Sequence, residues 1–200
     1  MLTGLTANTV NNLQLNAGVL LTSYSPTASG GTVTTSNIIC AARGGSTFTA
    51  TPEIHNVEVD GVPTNTKGLV RLDGWDVKLS LPNCLEFTPD TIMRALPGST
   101  KEDSSTSGTV YTTIKVSHTI ASGDYKDIWF VGTLGNGKNI AIKLKNTLNL
   151  GGLTITYNNK GEGTFPLELT AHYDISSTNG LEDVPFEIYI EGVVVSGGNL

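Results

Sequence analysis

The sequence predicts a mainly β fold made of half-buried antiparallel strands, with one short helix and an extended hairpin loop. Apolar and polar residues alternate in several segments, and this two-residue period is typical of strands with one face on a core. Glycine accounts for 23 of the 200 residues, which favours turns between strands. Only 15% of residues are charged, which favours a surface covered by other protein and hence assembly.

The alternating pattern is clearest in the segments 75–81, 110–116, 140–144, 165–171 and 186–191. In the first of these, Trp75, Val77 and Leu79 point to one side, while Asp76 and Lys78 point to the other. Each segment therefore predicts a strand with one buried face and one face that is exposed or lies at an interface.

The helix is marked by its start signals. Thr88 is a good N-cap, Pro89 suits the first helical position, and Asp90 favours the positive end of the helix dipole. Pro97 and the glycine after it end the helix. The polar run 101–108 then predicts a solvated loop.

The longest hairpin signal runs from residue 44 to residue 79. It predicts strands at 48–60 and 75–81, joined by a reaching tip at 61–74, and it carries no catalytic residue set. A long hairpin with a polar tip indicates contact with another molecule. The predicted contact residues are Gly61, Val62, Pro63, Thr64, Asn65, Thr66, Lys67, Arg71 and Asp73.

Charge is unevenly distributed along the chain. Residues 1–42 carry no charge, residues 43–160 carry 12 basic and 11 acidic side chains, and residues 161–200 carry seven acids and no lysine or arginine. The net charge of −6 therefore comes from the C-terminal quarter. An acidic surface repels nucleic acid, and the scattered basic residues do not predict a nucleic-acid grip.

The segment 132–139 nearly fits the phosphate-binding pattern G-x-x-x-x-G-K-[ST], but Asn139 replaces the final hydroxyl residue. The residues that follow alternate like a strand, whereas a phosphate loop opens a helix. Asn136-Gly137 is a hairpin turn signal, so a hairpin is preferred to a nucleotide site.

No combination of residues predicts catalysis, a cofactor or a metal centre, and we do not expect an enzyme. Glu168, His172 and Asp174 share a strand face that could hold a metal, but a solvated or subunit-facing polar face is commoner. Cys40 and Cys84 follow no metal spacing and are expected to be reduced.

The domain organisation is expected to be simple. Residues 1–42 predict an N-terminal arm and a first strand, either loose or ordered by lying on a neighbouring subunit. Residues 43–200 predict a single β domain, and no stretch is long enough to span a membrane.

Several blocks, in this order and spacing, resemble the major tail tube proteins of long-tailed bacteriophages. The resemblance covers roughly residues 40 to 190, and no single motif is diagnostic. The blocks are Gly44-Gly45-Ser46-x-Phe48-x-Ala50-Thr51-Pro52-Glu53-Ile54, Val57-Glu58-Val59-Asp60-Gly61, Lys67-Gly68-Leu69, Arg71, Trp75-Asp76-Val77-Lys78-Leu79, Leu85-Glu86-Phe87-Thr88, Gly161-Glu162-Gly163-Thr164-Phe165, Leu169-Thr170-Ala171-His172-Tyr173-Asp174 and Pro185-Phe186-Glu187-Ile188-Tyr189.

The resemblance implies two packed β-sheets flanked by a helix, and hexameric rings whose sheets merge into a barrel. Stacked rings would form the tail tube through which DNA passes into the host. The implied partners are further copies of the chain and the tape-measure, tail terminator and distal tail or baseplate proteins. Assembly would take place in the host bacterial cytoplasm, and the product would be the virion tail.

The resemblance also gives the acidic C-terminal quarter an expected role. Some of Glu168, Asp174, Glu187 and Glu191 would line the lumen and keep the DNA backbone from sticking. Two alternatives stay open: the inner tube of a contractile tail or injection machine, and a β-sandwich that binds carbohydrate or a host surface.

Overall fold

The computed structural model describes residues 4–6, 8–14, 17–27, 31–106, 109–177 and 180–191. Within these ranges, strands dominate, which confirms the predicted mainly β fold. No helix in the described part is long and apolar enough to cross a membrane.

The helices are α1 (Thr9–Asn12), α2 (Pro89–Ala95) and the 3-10 turns Thr35–Asn37, Ser122–Asp124 and Gly180–Glu182. The strands are β1 (Val19–Leu21), β2 (Thr47–Asn56), β3 (Val70–Cys84), β4 (Ser99–Thr106), β5 (Thr109–Val116), β6 (Lys126–Thr133), β7 (Asn139–Asn149), β8 (Phe165–Thr170) and β9 (Phe186–Ile190).

Seven of these strands form one antiparallel sheet in the order β1-β6-β7-β8-β3-β2, with β9 also paired to β7. The strand β7 divides the sheet, because its residues 140–144 pair with β9 and its residues 148–149 pair with β8. Between them lies Asn146, which has a positive φ of 50° and donates its backbone N–H to Asp127 Oδ1 at 3.0 Å. The register of β6 and β7 shifts at this point, so a bulge redirects the strand.

The main core lies between the two parts of this sheet. It contains Leu20 and Leu144 from one part, and Leu79 and Phe165 from the other, with Ala95 of α2 closing one side. A second cluster, around Trp129 and Tyr24, covers the opposite face of β1, β6 and β7. Trp75 packs against the main core, and Trp129 is buried in the second cluster.

The predicted local signals around α2 and the hairpin turn are confirmed. Thr88 Oγ1 accepts the backbone N–H of Thr91 at 3.2 Å, and Thr91 Oγ1 accepts that of Thr88 at 3.0 Å. This reciprocal capping satisfies donors that the helix itself leaves unpaired. At the turn between β6 and β7, Gly137 has φ 77° and donates its N–H to Leu134 O at 2.9 Å.

The prediction of a solvated loop at 101–108 is wrong. The strand β4 covers most of it and pairs with β5 along its full length, forming a two-stranded ribbon separate from the main sheet. On one face of the ribbon, Lys115 Nζ forms a salt bridge with Glu102 Oε2 at 2.6 Å. The expected buried face of 110–116 is only half-buried at Thr112 and Ile114, and Val116 on the same face is exposed.

The N-terminal segment is more integrated than the expectation of an arm suggests. The predicted first strand is β1, and Leu20, Ile39 and Cys40 all lie in the main core. Cys40 and Cys84 are buried free thiols. Residues 1–3, 7, 15–16 and 28–30 of the predicted arm lie outside the described residues.

Candidate functional site

The hairpin arm, residues 53–74, extends from the main sheet. The strand β2 pairs with β3 from Thr47 to Asn56, whereas β3 pairs with β8 only from Lys78 to Cys84. Every residue from 51 to 65 and from 70 to 73 is exposed. The arm is therefore a two-stranded ribbon that continues past its supporting strand.

One face of the arm is apolar and continues the face that forms the core. Phe48 and Ala50 of β2 pack against the main core, and Ile54 follows them on the same face by strand alternation. Ile54 lies opposite Leu72, and Val70 lies opposite Asn56. The exposed fractions are 58% for Ile54, 52% for Leu72 and 48% for Val70. These three side chains form the apolar arm face.

A β-bulge maintains this face. Glu53 pairs with Gly74 and Ile54 pairs with Leu72, so Asp73 is the additional residue on β3. The bulge shifts the core-facing positions of β3 from odd to even numbers, which places Leu72 rather than Asp73 on the apolar arm face. Sequence reasoning missed this face, although the change from Trp75 to Leu72 with a glycine between them was a readable signal.

The tip of the arm, residues 57–69, is held by its own hydrogen bonds. Val57 N–H donates to Leu69 O at 2.8 Å, which closes the base of the tip. Thr66 Oγ1 donates to Pro63 O at 2.6 Å, and Asn65 has a positive φ of 64° in the same turn. The tip therefore has a defined shape before it meets any partner.

The predicted contact residues divide between two parts of the arm. Those from Gly61 to Lys67 lie in the tip, as predicted. Arg71 and Asp73 lie in β3 instead, where Arg71 Nε donates to Asp73 Oδ1 at 2.6 Å. The tip is thus 57–69 rather than 61–74, because β3 begins at Val70 and β2 ends at Asn56.

The predicted lumen acids lie in different surroundings. Glu168 is exposed on β8, and its carboxylate lies beside Gly151. Asp174 follows β8 and accepts the backbone N–H of Ser176 at 2.8 Å and its hydroxyl at 2.6 Å. These bonds from Ser176 lower the pKa of Asp174. Glu168 is thus exposed, whereas Asp174 is half-buried.

Glu187 is compensated by a cation. Lys145 Nζ lies 2.7 Å from Glu187 Oε1 and 2.8 Å from Asp183 Oδ1, so the lysine bridges two acids. The hydrogen bond from Lys145 lowers the pKa of Glu187. The charge that Glu187 presents to a partner is therefore reduced.

Glu191 does not fit the expectation of a lumen acid, because its side chain is buried. Its Oε1 accepts the Tyr24 hydroxyl at 2.9 Å and Gly31 N–H at 2.6 Å, while Oε2 accepts Asn139 N–H at 2.8 Å. Burial raises the pKa of Glu191, but these hydrogen bonds outweigh it and the pKa is lowered overall. Glu191 ties the N-terminal segment to β7 and β9 instead of facing a channel.

The three residues weighed as metal ligands do not form a site. Among the described residues, no group of three or more His, Cys, Asp or Glu side chains is arranged to hold a metal ion. His172 Nδ1 lies 3.0 Å from Asn146 O, and Asp174 is occupied by Ser176. The polar atoms of His172 and Asp174 therefore take part in local hydrogen bonds.

The chain matches no protein-family model, and no curated protein sequence matches it significantly. Its function is therefore inferred from its own residues and their arrangement.

Proposed function

We propose that the protein is a structural subunit that assembles into hexameric rings stacked as the tail tube of a long-tailed bacteriophage. In this role the tube is a conduit for DNA. The observation that carries the proposal is the apolar arm face, which continues the core yet is exposed in the single chain. The resemblance of the blocks between residues 40 and 190 gives the contact its expected partner, a second copy.

Burial of the apolar arm face against a partner would stabilise the contact. Burying one exposed isoleucine, leucine or valine side chain contributes about 1.5–3 kcal/mol. Ile54, Val70 and Leu72 are adjacent, so a single partner surface covers all three. A projecting ribbon with such a face is a protein-binding surface rather than a random exposure of scattered apolar residues.

The geometry of the contact favours rings and tubes. The arm contacts a different surface on the next copy, so the interface is heterologous, and heterologous contacts close into rings or continue as filaments.

The sheet edges support the same assembly. The strands β2 and β9 each pair with only one strand among the described residues, so each has an edge available for another chain.

Two of the four acids predicted to line the lumen support the proposed passage of DNA. Glu168 and Asp174 are the members of the predicted set that are accessible to solvent and are not paired with a cation among the described residues. Glu187 is paired with Lys145 and Glu191 is buried. The proposal therefore assigns the repulsion of the phosphate backbone to Glu168 and Asp174.

Sedimentation velocity of the purified chain over a range of concentrations tests self-assembly. We expect a species with the mass of six 21.0-kDa chains and larger species above it. A single 21.0-kDa species at all concentrations would contradict the proposal and favour the alternative of a monomeric binding module. The presence of a sheath gene beside this one would favour the inner tube of a contractile machine.

A further inference from the structure

A cavity of about 440 Å³ lies beside α2, away from the hairpin arm. Its walls combine apolar side chains, including Ile38, Met93 and Leu148, with several charged groups. The sequence indicates no role for this region beyond the helix itself. A cavity of this size and mixed lining suits a ligand with both an apolar part and a charged group.

Arg94 is the unusual residue in the wall of the cavity. It is half-buried, and within the described residues its guanidinium has neither an ion pair nor a hydrogen bond. Asp90 lies one helical turn earlier, but its carboxylate accepts from Lys101 Nζ at 3.2 Å. Burial lowers the pKa of Arg94, and the attraction of Asp90 only partly offsets this effect. The cation has lost part of its hydration without gaining a direct partner.

The other charges in the walls are of both signs. Lys126 also lines the cavity, and in the described part of the chain no acid pairs with it. Asp124 accepts the backbone N–H of Ala121 at 2.7 Å but keeps its charge, and Glu86 is a further acid in the wall. With Asp90 paired to Lys101, the two cations Arg94 and Lys126 face the two acids Glu86 and Asp124, so the attraction for an incoming carboxylate is local to Arg94.

The tip of the hairpin arm carries the complementary chemistry. Glu58 and Asp60 are exposed and form no ion pair with any described residue. They alternate with Val57 and Val59, which are also exposed, so the tip presents carboxylates beside aliphatic side chains. The outer strand pairs from Glu53 to Asn56 span roughly 10 Å, and the tip extends beyond them.

We propose that the cavity beside α2 receives the acidic tip of the hairpin arm of a second copy, with Glu58 or Asp60 paired to Arg94. This inference rests on the proposed self-assembly and names both sides of one contact. The valines of the tip contact the apolar wall, while Lys126 contributes to the attraction. A carboxylate seated on the partly dehydrated Arg94 forms a charge-assisted pair in a protected site, which is stronger than a pair in open water.

Charge reversal on each side tests the pairing. The variants are Arg94→Glu, the tip double variant Glu58→Lys with Asp60→Lys, and the triple variant that combines them. Lys160→Glu is the matched control, since it makes the same change at an exposed lysine outside the cavity. The critical concentration for assembly is measured by sedimentation, and thermal unfolding of the dispersed chain shows whether each variant is folded.

We expect Arg94→Glu and the tip double variant each to raise the critical concentration at least about tenfold. The triple variant should recover most of that loss, and Lys160→Glu should assemble like the wild type. If Arg94→Glu does not fold, Arg94→Gln replaces it, and the exposed tip variant must still impair assembly. Unimpaired assembly of the tip double variant, or a triple variant no better than its parents, overturns the pairing. Failure of the wild type to assemble instead overturns the proposed function.

Discussion

Ile54 of β2 lies directly opposite Leu72 of β3, and both side chains are more than half exposed to solvent. The same face of β2 forms the core at Phe48, six residues earlier. One continuous strand face would therefore serve two purposes, since its inner part stabilises the domain and its outer part, in the proposed function, binds the next copy.

Replacing both Ile54 and Leu72 by threonine should separate these two purposes. The substitution places a β-branched residue, which suits a strand, at both positions and leaves the unfolding free energy of the single chain within about 0.5 kcal/mol. Assembly should weaken, with the critical concentration rising about tenfold or more, because two aliphatic side chains are lost from the interface. Sedimentation measures the critical concentration, and chemical unfolding measures the unfolding free energy.

The opposite face of the arm supplies the control for that experiment. His55 pairs with Arg71 across the same two strands, one position away. Replacing both by threonine should change assembly less than the Ile54 and Leu72 pair does. Equal effects from the two pairs would show that the apolar arm face is not the contact surface.

Deleting residues 63–66 should abolish tubes without unfolding the chain. The deletion removes the turn closed by Thr66 and Pro63 but retains the Val57–Leu69 hydrogen bond at the base of the tip. Circular dichroism should report an unchanged β signal, while microscopy should find no tubes. Normal tubes from the deletion variant would remove the tip from the assembly contact.

Reversing the two accessible acids should make assembled tubes retain DNA. Glu168→Lys with Asp174→Lys replaces repulsion by attraction, so we expect DNA to co-sediment with tubes at about 50 mM salt and to be released at about 200 mM. Glu182→Lys is the control, because Glu182 is an exposed acid outside the predicted set. If the double variant binds no more DNA than this control, the two acids do not line the lumen.

The stability of the dispersed chain should depend on pH through Glu191. Its pKa is lower in the folded than in the unfolded state, so its contribution is present above the unfolded pKa of about 4.3 and is lost as the pH falls through the folded pKa. Glu191→Gln should cost about 1–3 kcal/mol at pH 7, because its amide group faces the donors Gly31 and Asn139.

Chemical unfolding at pH 7 and pH 4 checks this expectation. The difference between the wild type and Glu191→Gln should be smaller at pH 4 than at pH 7. Glu182→Gln provides the comparison, since it removes an exposed acid without removing a buried network. A difference that stays constant with pH would mean that the charge of Glu191 is not what the network stabilises.

The sequence predicted the strands that have one buried face, because burial imposes alternation on strands such as 75–81 and 165–171. It failed for β4, because residues 100–105 are exposed on both faces of the strand and nothing enforces alternation among Lys101, Glu102 and Asp103. A strand segment that is exposed on both faces lacks alternation, so its sequence resembles that of a loop.

The candidate site was predictable only in part, for two physical reasons. The hairpin and its tip residues followed from local turn and strand signals, but the apolar arm face depends on a bulge at Asp73 that changes the alternation. Glu191 directly follows β9, in which the apolar Ile188 and Ile190 are exposed, yet Tyr24 covers it from 167 residues away. Contacts over such separations are not encoded in local patterns.

Electron microscopy of the purified wild-type chain in negative stain tests self-assembly most directly. We predict hollow rings with sixfold symmetry and tubes made of stacked rings, formed without any other protein. A field of uniform single particles of the monomer, at concentrations where sedimentation also finds only 21.0-kDa chains, would contradict the proposed function.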